Sequence, residues 1–192
     1  MAPRAGLEYD AIVKAAATLA DEHGLHMVTM AMLAAHLGVR TPTLYHYFTG
    51  LAGLQRALAL WGLQEMTEQL GQAVMGKAGD DAVVALAHTL RDFGRTRPGL
   101  YEATARAPEP GDAEWQEAGR RVVEIALRAL GAYTLSQEDA LHAVRMVRSL
   151  VHGCVTLETA GGFGLPLDVD ETFKRLLDLL LHDLHTRQGS GK

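Results

Sequence analysis

Apolar residues recur at three- and four-residue spacing along almost the whole chain, and glycine or proline interrupts them at intervals that suit helices joined by short turns. That pattern specifies an all-α fold. In "EYDAIVKAAATLADEHG" the apolar positions Ile12, Val13, Ala16, Leu19 and Ala20 share one helical face, and Gly24 offers a stop. Met30 to Leu37 forms a second, short helix, with Thr29 as its N-cap and Leu33, Ala34 and Leu37 as its apolar stripe before Gly38. Thr41 is placed to cap a third, with Pro42 where a missing N–H costs nothing. A long fourth helix carries Leu51, Leu54, Leu58, Trp61 and Met66 and ends at Gly76 and Gly79. A fifth covers about Asp80 to Arg97, and Pro98-Gly99 precedes a short sixth. After the loop "PEPGD", three more run from about Asp112 to Tyr133, Ser136 to Ala160 and Asp168 to Arg187. Nine helices are expected, divided into a small head over residues 1–50 and a larger domain over residues 51–192.

Inside the head, "LAAHLGVRTPTLYHYF" joins two short helices through a Gly38-Val39-Arg40 turn. By length, turn residue and apolar spacing this is a helix-turn-helix, whose second helix enters the DNA major groove while the first crosses the backbone. Leu33, Val39 and Leu44 are its expected internal contacts. Thr29, Arg40, Thr41, Pro42, Thr43, Tyr45, His46, Tyr47 and Thr49 are then the candidate DNA-binding residues, because hydroxyl, imidazole, guanidinium and ring groups suit phosphates, base edges and thymine methyls. Short helix pairs with glycine turns also occur in bundles that bind nothing, so the pattern alone leaves both readings open.

Residues 25–58, "LHMVTMAMLAAHLGVRTPTLYHYFTGLAGLQRAL", resemble the DNA-binding head of the TetR family. The resemblance is carried by Thr29, Leu33-Ala34, Leu37-Gly38-Val39 and the segment Leu44-Tyr45-His46-Tyr47-Phe48 in that order. Two positions depart from the family pattern, and both remove positive charge: Ala31 stands where a basic residue is common early in the second helix, and Leu51 where a lysine commonly opens the fourth. Through residue 56, Arg4, Lys14, Arg40 and Arg56 are balanced by Glu8, Asp10, Asp21 and Glu22. Phosphate contacts then fall to Arg40, Arg4, the hydroxyls of Thr29, Thr49 and Tyr47, and backbone N–H groups, with shallow salt dependence as the consequence.

The C-terminal half resembles the effector and dimerisation domain of the His-Gly-containing WHG type of TetR-family regulator, through "RSLVHGCVTLETAGGFGL" at residues 148–165 and its His152-Gly153 pair. With the head, this resemblance implies a nine-helix TetR-like fold and a homodimer that binds double-stranded operator DNA, most simply as a repressor, and releases it when a small-molecule effector occupies the C-terminal domain. Independently, Phe173, Leu176, Leu177, Leu180, Leu181 and Leu184 give the last helix a wide apolar face, and Val144, Val147, Val151 and Val155 line the eighth. Val144, Val147, Val151, Val155, Phe173, Leu177, Leu180 and Leu184 are the expected dimer interface, the alternative being that they form core within one chain. Trp61, Phe93, Tyr101, Met146 and His152 are the candidate ligand-pocket residues, bulky or adaptable groups in otherwise apolar helices that serve as core equally well.

Other functions find little support. His182 and His185 form a close histidine pair, and no third ligand accompanies them; there is no phosphate loop after a strand and no nucleophile elbow. No enzyme activity, metal or cofactor is expected. No apolar run approaches a membrane span, "MAPRAGLEYD" lacks the apolar centre of a signal peptide, and the single Cys154 fits a reducing compartment, so a cytoplasmic protein is expected. A net charge of −5 withholds any global basic signature. The rival to a regulator is a helical small-molecule or protein binding module whose head binds DNA weakly.

Overall fold

The computed structural model describes residues 8–188, and helix ends follow the capping chemistry of the sequence. α1 (Tyr9–His23) stops at Gly24, which takes a φ of +87° that a side chain would strain, and a short 3-10 turn (Leu25–Met27) follows. α2 (Met30–His36) starts at Thr29, whose hydroxyl oxygen accepts the Met32 N–H at 3.1 Å. α3 (Thr41–Leu44) has Arg40 rather than Thr41 as its N-cap, without a side-chain capping bond. Thr41 is already helical, and Pro42 still sits in the first turn, where backbone N–H groups lack helical partners. Then come α4 (Gly50–Val74), α5 (Gly79–Thr96) and α6 (Pro98–Ala105). α7 (Ala113–Ala129) ends short of the expected Tyr133, because the chain tightens into a 3-10 turn at Gly131–Tyr133 and leaves it through Thr134 at φ +48°. α8 (Gln137–Thr159) and α9 (Val169–Arg187) are capped by the Ser136 hydroxyl and the Asp168 carboxylate. The described residues thus form an all-α fold of nine helices.

Packing gathers them into two compact units. The first takes the chain through Gln64 together with Thr96–Gln116; the second takes Glu65–Arg95 and the chain from Glu117 onward. The expected head lies wholly in the first unit, which adds the first half of α4 and all of α6.

In the first unit, α6 is fastened to α1 by polar and steric means together. The Asp21 carboxylate accepts the Gly99 and Leu100 N–H groups at 2.9 and 3.2 Å, so a side chain of α1 satisfies the first turn of α6. Its other oxygen accepts Arg97 Nε at 2.6 Å. Gly99 permits this approach: a Cβ there would sit 2.2 Å from the Ala20 carbonyl carbon. In the second unit, Arg91, 4% exposed, bridges the end of α8 and the start of α9 through Glu158 at 2.8 Å and Asp170 at 2.7 Å, with its guanidinium 4.5 Å from the Phe173 ring centre. Among the described residues no helix is long and apolar enough to cross a membrane.

Candidate nucleic-acid interface

The turn between α2 and α3 is built by backbone bonds and one left-handed glycine. Gly38 takes φ +65°, its N–H donates to the Ala35 carbonyl, and the Val39 N–H donates to the Ala34 carbonyl at 3.0 Å. Leu33 and Leu44 are fully buried and Phe48 nearly so, which anchors both helices from below. Tyr9 of α1 lies with its ring 5.5 Å from that of Phe48, and Tyr47 packs against the same phenylalanine at 6.5 Å. Three apolar anchors therefore decide which side chains of this short segment face outward.

None of the nine candidate DNA-binding residues is buried. Thr29, Arg40, Pro42, Tyr45, His46 and Thr49 are exposed, and Thr41, Thr43 and Tyr47 are half-buried. Tyr45 is 58% exposed, far more than a core tyrosine in a helical head would be. Thr29 accepts one bond as a cap and keeps its hydroxyl proton to donate.

Charge on this surface is scarcer than a residue count implies. Arg56 donates to both carboxylate oxygens of Asp112, at 2.6 and 2.8 Å, and to Glu114 at 2.7 Å. Those bonds, Asp112 first, raise the guanidinium's pKa, and the same bond with help from the Trp115 N–H holds the Asp112 carboxyl below its usual range. Sequence spacing hid this pairing, since its partners stand 56 residues apart. Arg4 lies outside the described residues. Along α1 to α3 the fixed cations that remain are Lys14 and Arg40, both exposed, with His23, His26, His36 and His46 also at the surface. Ala31 is exposed and Leu51 is 39% exposed at the start of α4.

The second half of the candidate set distributes differently. Val147, Val151, Val155, Phe173, Leu177, Leu180 and Leu184 are all buried within a single chain, and Val144 is half-buried. The face expected to meet a second chain is therefore core, already covered by its own unit, while Leu141, Leu157 and Leu179 on the same two helices stand 41%, 46% and 68% exposed. Of the candidate pocket residues, Trp61 is half-buried and Tyr101 buried in the first unit; Phe93 is buried in the second, where Met146 and His152 are exposed on α8. A cleft of about 640 Å3 in the second unit is lined by other residues, among them Arg95, Glu158, Phe163 and Leu167. His185 bonds to Asp80 at 2.9 Å and meets the Tyr133 ring edge-on, and no cluster of three or more potential metal ligands occurs among the described residues. Cys154 is buried, and burial pushes its thiol pKa up, away from reactive thiolate.

Known proteins match the chain on both sides of the fold. Residues 12–58 match the model of bacterial regulatory proteins of the tetR family, and residues 83–180 match a Tetracyclin repressor-like C-terminal domain. The chain is 34% identical over 174 residues to the HTH-type transcriptional regulator YobS of Bacillus subtilis (strain 168), covering 90% of each protein. It is 31% identical over 188 residues to the HTH-type transcriptional regulator Rv0681 of Mycobacterium tuberculosis (strain ATCC 25618 / H37Rv), covering 97% of this chain and 86% of the relative. A possible TetR family transcriptional regulator from Streptomyces coelicolor A3(2) shares the fold at a TM-score of 0.75 and 22% identity, over 93% of this chain and 99% of that one. With an anchored helix-turn-helix at one end and a match along nearly the whole length, the chain belongs to the TetR family of DNA-binding transcriptional regulators.

Proposed function

We propose that the protein is a repressor that binds a palindromic operator as a homodimer and leaves it when a small molecule occupies its C-terminal half. One observation carries the DNA-binding surface: the nine polar, aromatic and turn residues from Thr29 to Thr49 all reach the surface, while the apolar residues between them anchor the segment. The His152-Gly153 pair supports assigning the C-terminal half to the WHG type, and the Tetracyclin repressor-like match supports an effector there. Homodimerisation is best served by the open face of α8 and α9, where exposed leucines accompany Gly153, beside which a partner's backbone can approach closely. A regulator of this kind works in the bacterial cytoplasm, where its DNA lies.

Footprinting on the DNA flanking the protein's own gene tests this reading. Protection of two half-sites about one DNA turn apart is the expected result. Absence of any protected site at low salt, with the protein folded and dimeric, overturns it. The weak-head alternative is favoured by Leu51 and by the engagement of Arg56, and the same experiment at rising salt measures it.

A further inference from the structure

We propose that His36 and His46 are phosphate-contacting residues of the DNA-binding surface, and that their protonation makes the DNA affinity of this head rise as pH falls. The inference rests on the DNA-binding reading and adds the source of its missing charge. A duplex is held largely through cations that displace its counterions, each contributing a slope of about 0.9 to the dependence of log affinity on log salt. Here the permanent supply is short: Arg56 is held by Asp112 and Glu114, an apolar Leu51 opens α4, and the helices of the head keep Lys14 and Arg40.

Two imidazoles bracket that remaining arginine. His36 is the last residue of α2, immediately before the turn that leads to Arg40, and His46 follows α3, its own N–H donating to the Thr43 carbonyl at 3.3 Å. Both residues are exposed, and neither side chain forms an ion pair or hydrogen bond with the described residues. The charged and titratable groups on the surrounding elements are Glu8, Tyr9, Asp10, Lys14, Asp21, Glu22 and His23 at α1, His26 on the 3-10 turn, Arg40, Tyr45 and Tyr47 about α3, and Arg56 on α4. Of the acids, Asp21 is taken by Arg97 and the α6 amides, and Glu22 lies 3.7 Å from His23. Glu8 and Asp10 stand exposed at the start of α1, and none of the four acids forms an ion pair with His36 or His46.

Imidazole is the side chain whose ordinary titration falls between about pH 5 and pH 8. A phosphate brought against either ring favours its charged form, so binding takes up protons. By linkage, affinity then rises by up to about tenfold per pH unit for each histidine that gains a proton on binding, and the gain levels off once the rings are charged in the free protein. The salt slope steepens in step, because each new imidazolium displaces a counterion.

The test uses the full chain and a fluorescent mixed-sequence duplex, so that phosphate contact is read without knowledge of the operator. Anisotropy titrations at about pH 8 and about pH 6 should show at least a tenfold gain in affinity at the lower pH, with a salt slope steeper by about one to two counterions. His36→Gln with His46→Gln should abolish the gain, whereas His23→Gln, in the same head, should leave it. His36→Arg with His46→Arg should restore tight binding at the higher pH. A pH response that survives the double glutamine variant overturns the proposal, as does wild-type binding that ignores pH. Failure to bind this duplex or the DNA flanking the gene at either pH overturns the DNA-binding reading along with it.

Discussion

Gly99 has no room for a side chain, because the nearest atoms a Cβ would meet belong to the backbone of Ala20 on α1, which cannot rotate away. Gly99→Ala must push α6 off α1 and stretch the bonds that Asp21 makes to the Gly99 and Leu100 amides. We expect a loss of about 1–3 kcal/mol, read as a lower midpoint in urea at unchanged slope. A variant as stable as the wild type would mean that the two helices are not held at this distance in solution. The sequence marks Gly99 only as a breaker after Pro98, since the partner that makes it obligatory lies 79 residues earlier. Asp21 is hidden in the same way: its cation, Arg97, is 76 residues away, and locally it reads as one more acid at the end of an amphipathic helix. Leu51 is the opposite case, legible at once because a lysine is common there in relatives and this side chain is 39% exposed. Leu51→Lys should strengthen binding to specific and random DNA alike and steepen the salt slope by about one phosphate contact. Salt titrations with unaltered affinity and slope would show that this position faces away from the duplex.

Recognition by α3 can be separated from mere attraction to phosphate, because its turn-length helix is anchored by Leu44 and Phe48 while Thr43 and Tyr45 remain accessible. Replacing Thr43 or Tyr45 with Ala should weaken specific binding by about 1–3 kcal/mol if a base contact is lost, with little change on random DNA. Equal affinity of both variants and wild type for the specific site would remove α3 from base reading. That the head was legible follows from its locality: the N-cap Thr29, the left-handed Gly38 and the apolar spacing of Leu33 and Leu44 all act within twenty residues. Helix ends were less so. Arg40 serves as N-cap in place of Thr41, and Gly131 breaks α7 before Tyr133, because proline tolerance and apolar spacing leave a start or stop free by a residue or more. The α8 and α9 faces are ambiguous in sequence for a physical reason. A face buried in one's own chain and a face buried against a second copy are both apolar, and sequence periodicity does not distinguish Val151 from Leu157.

At the scale of the whole molecule, a chain with a net charge of −5 and a sparsely charged head gains little from one head alone, so tight DNA binding needs two heads acting together. The proposed open face of α8 and α9 supplies the pairing. An aspartate at Leu179, 68% exposed in the single chain, costs the monomer almost nothing but would be buried without a partner in a dimer. Leu179→Asp should therefore keep its helical circular dichroism, sediment as a monomer and lose most of its operator affinity. A folded dimer would move the interface elsewhere. Joint action also imposes spacing: two heads related by a two-fold axis read the same side of the duplex when half-sites lie about one turn, 34–36 Å, apart. Inserting about half a turn, roughly 5 base pairs, between half-sites carries one of them to the opposite side of the DNA, while every base and phosphate of each half-site stays intact. If the dimer binds as one body, affinity for the lengthened operator should fall to that of a single half-site. If affinity is unchanged in a gel-shift titration, the heads bind independently, and the operator is not read as a palindrome.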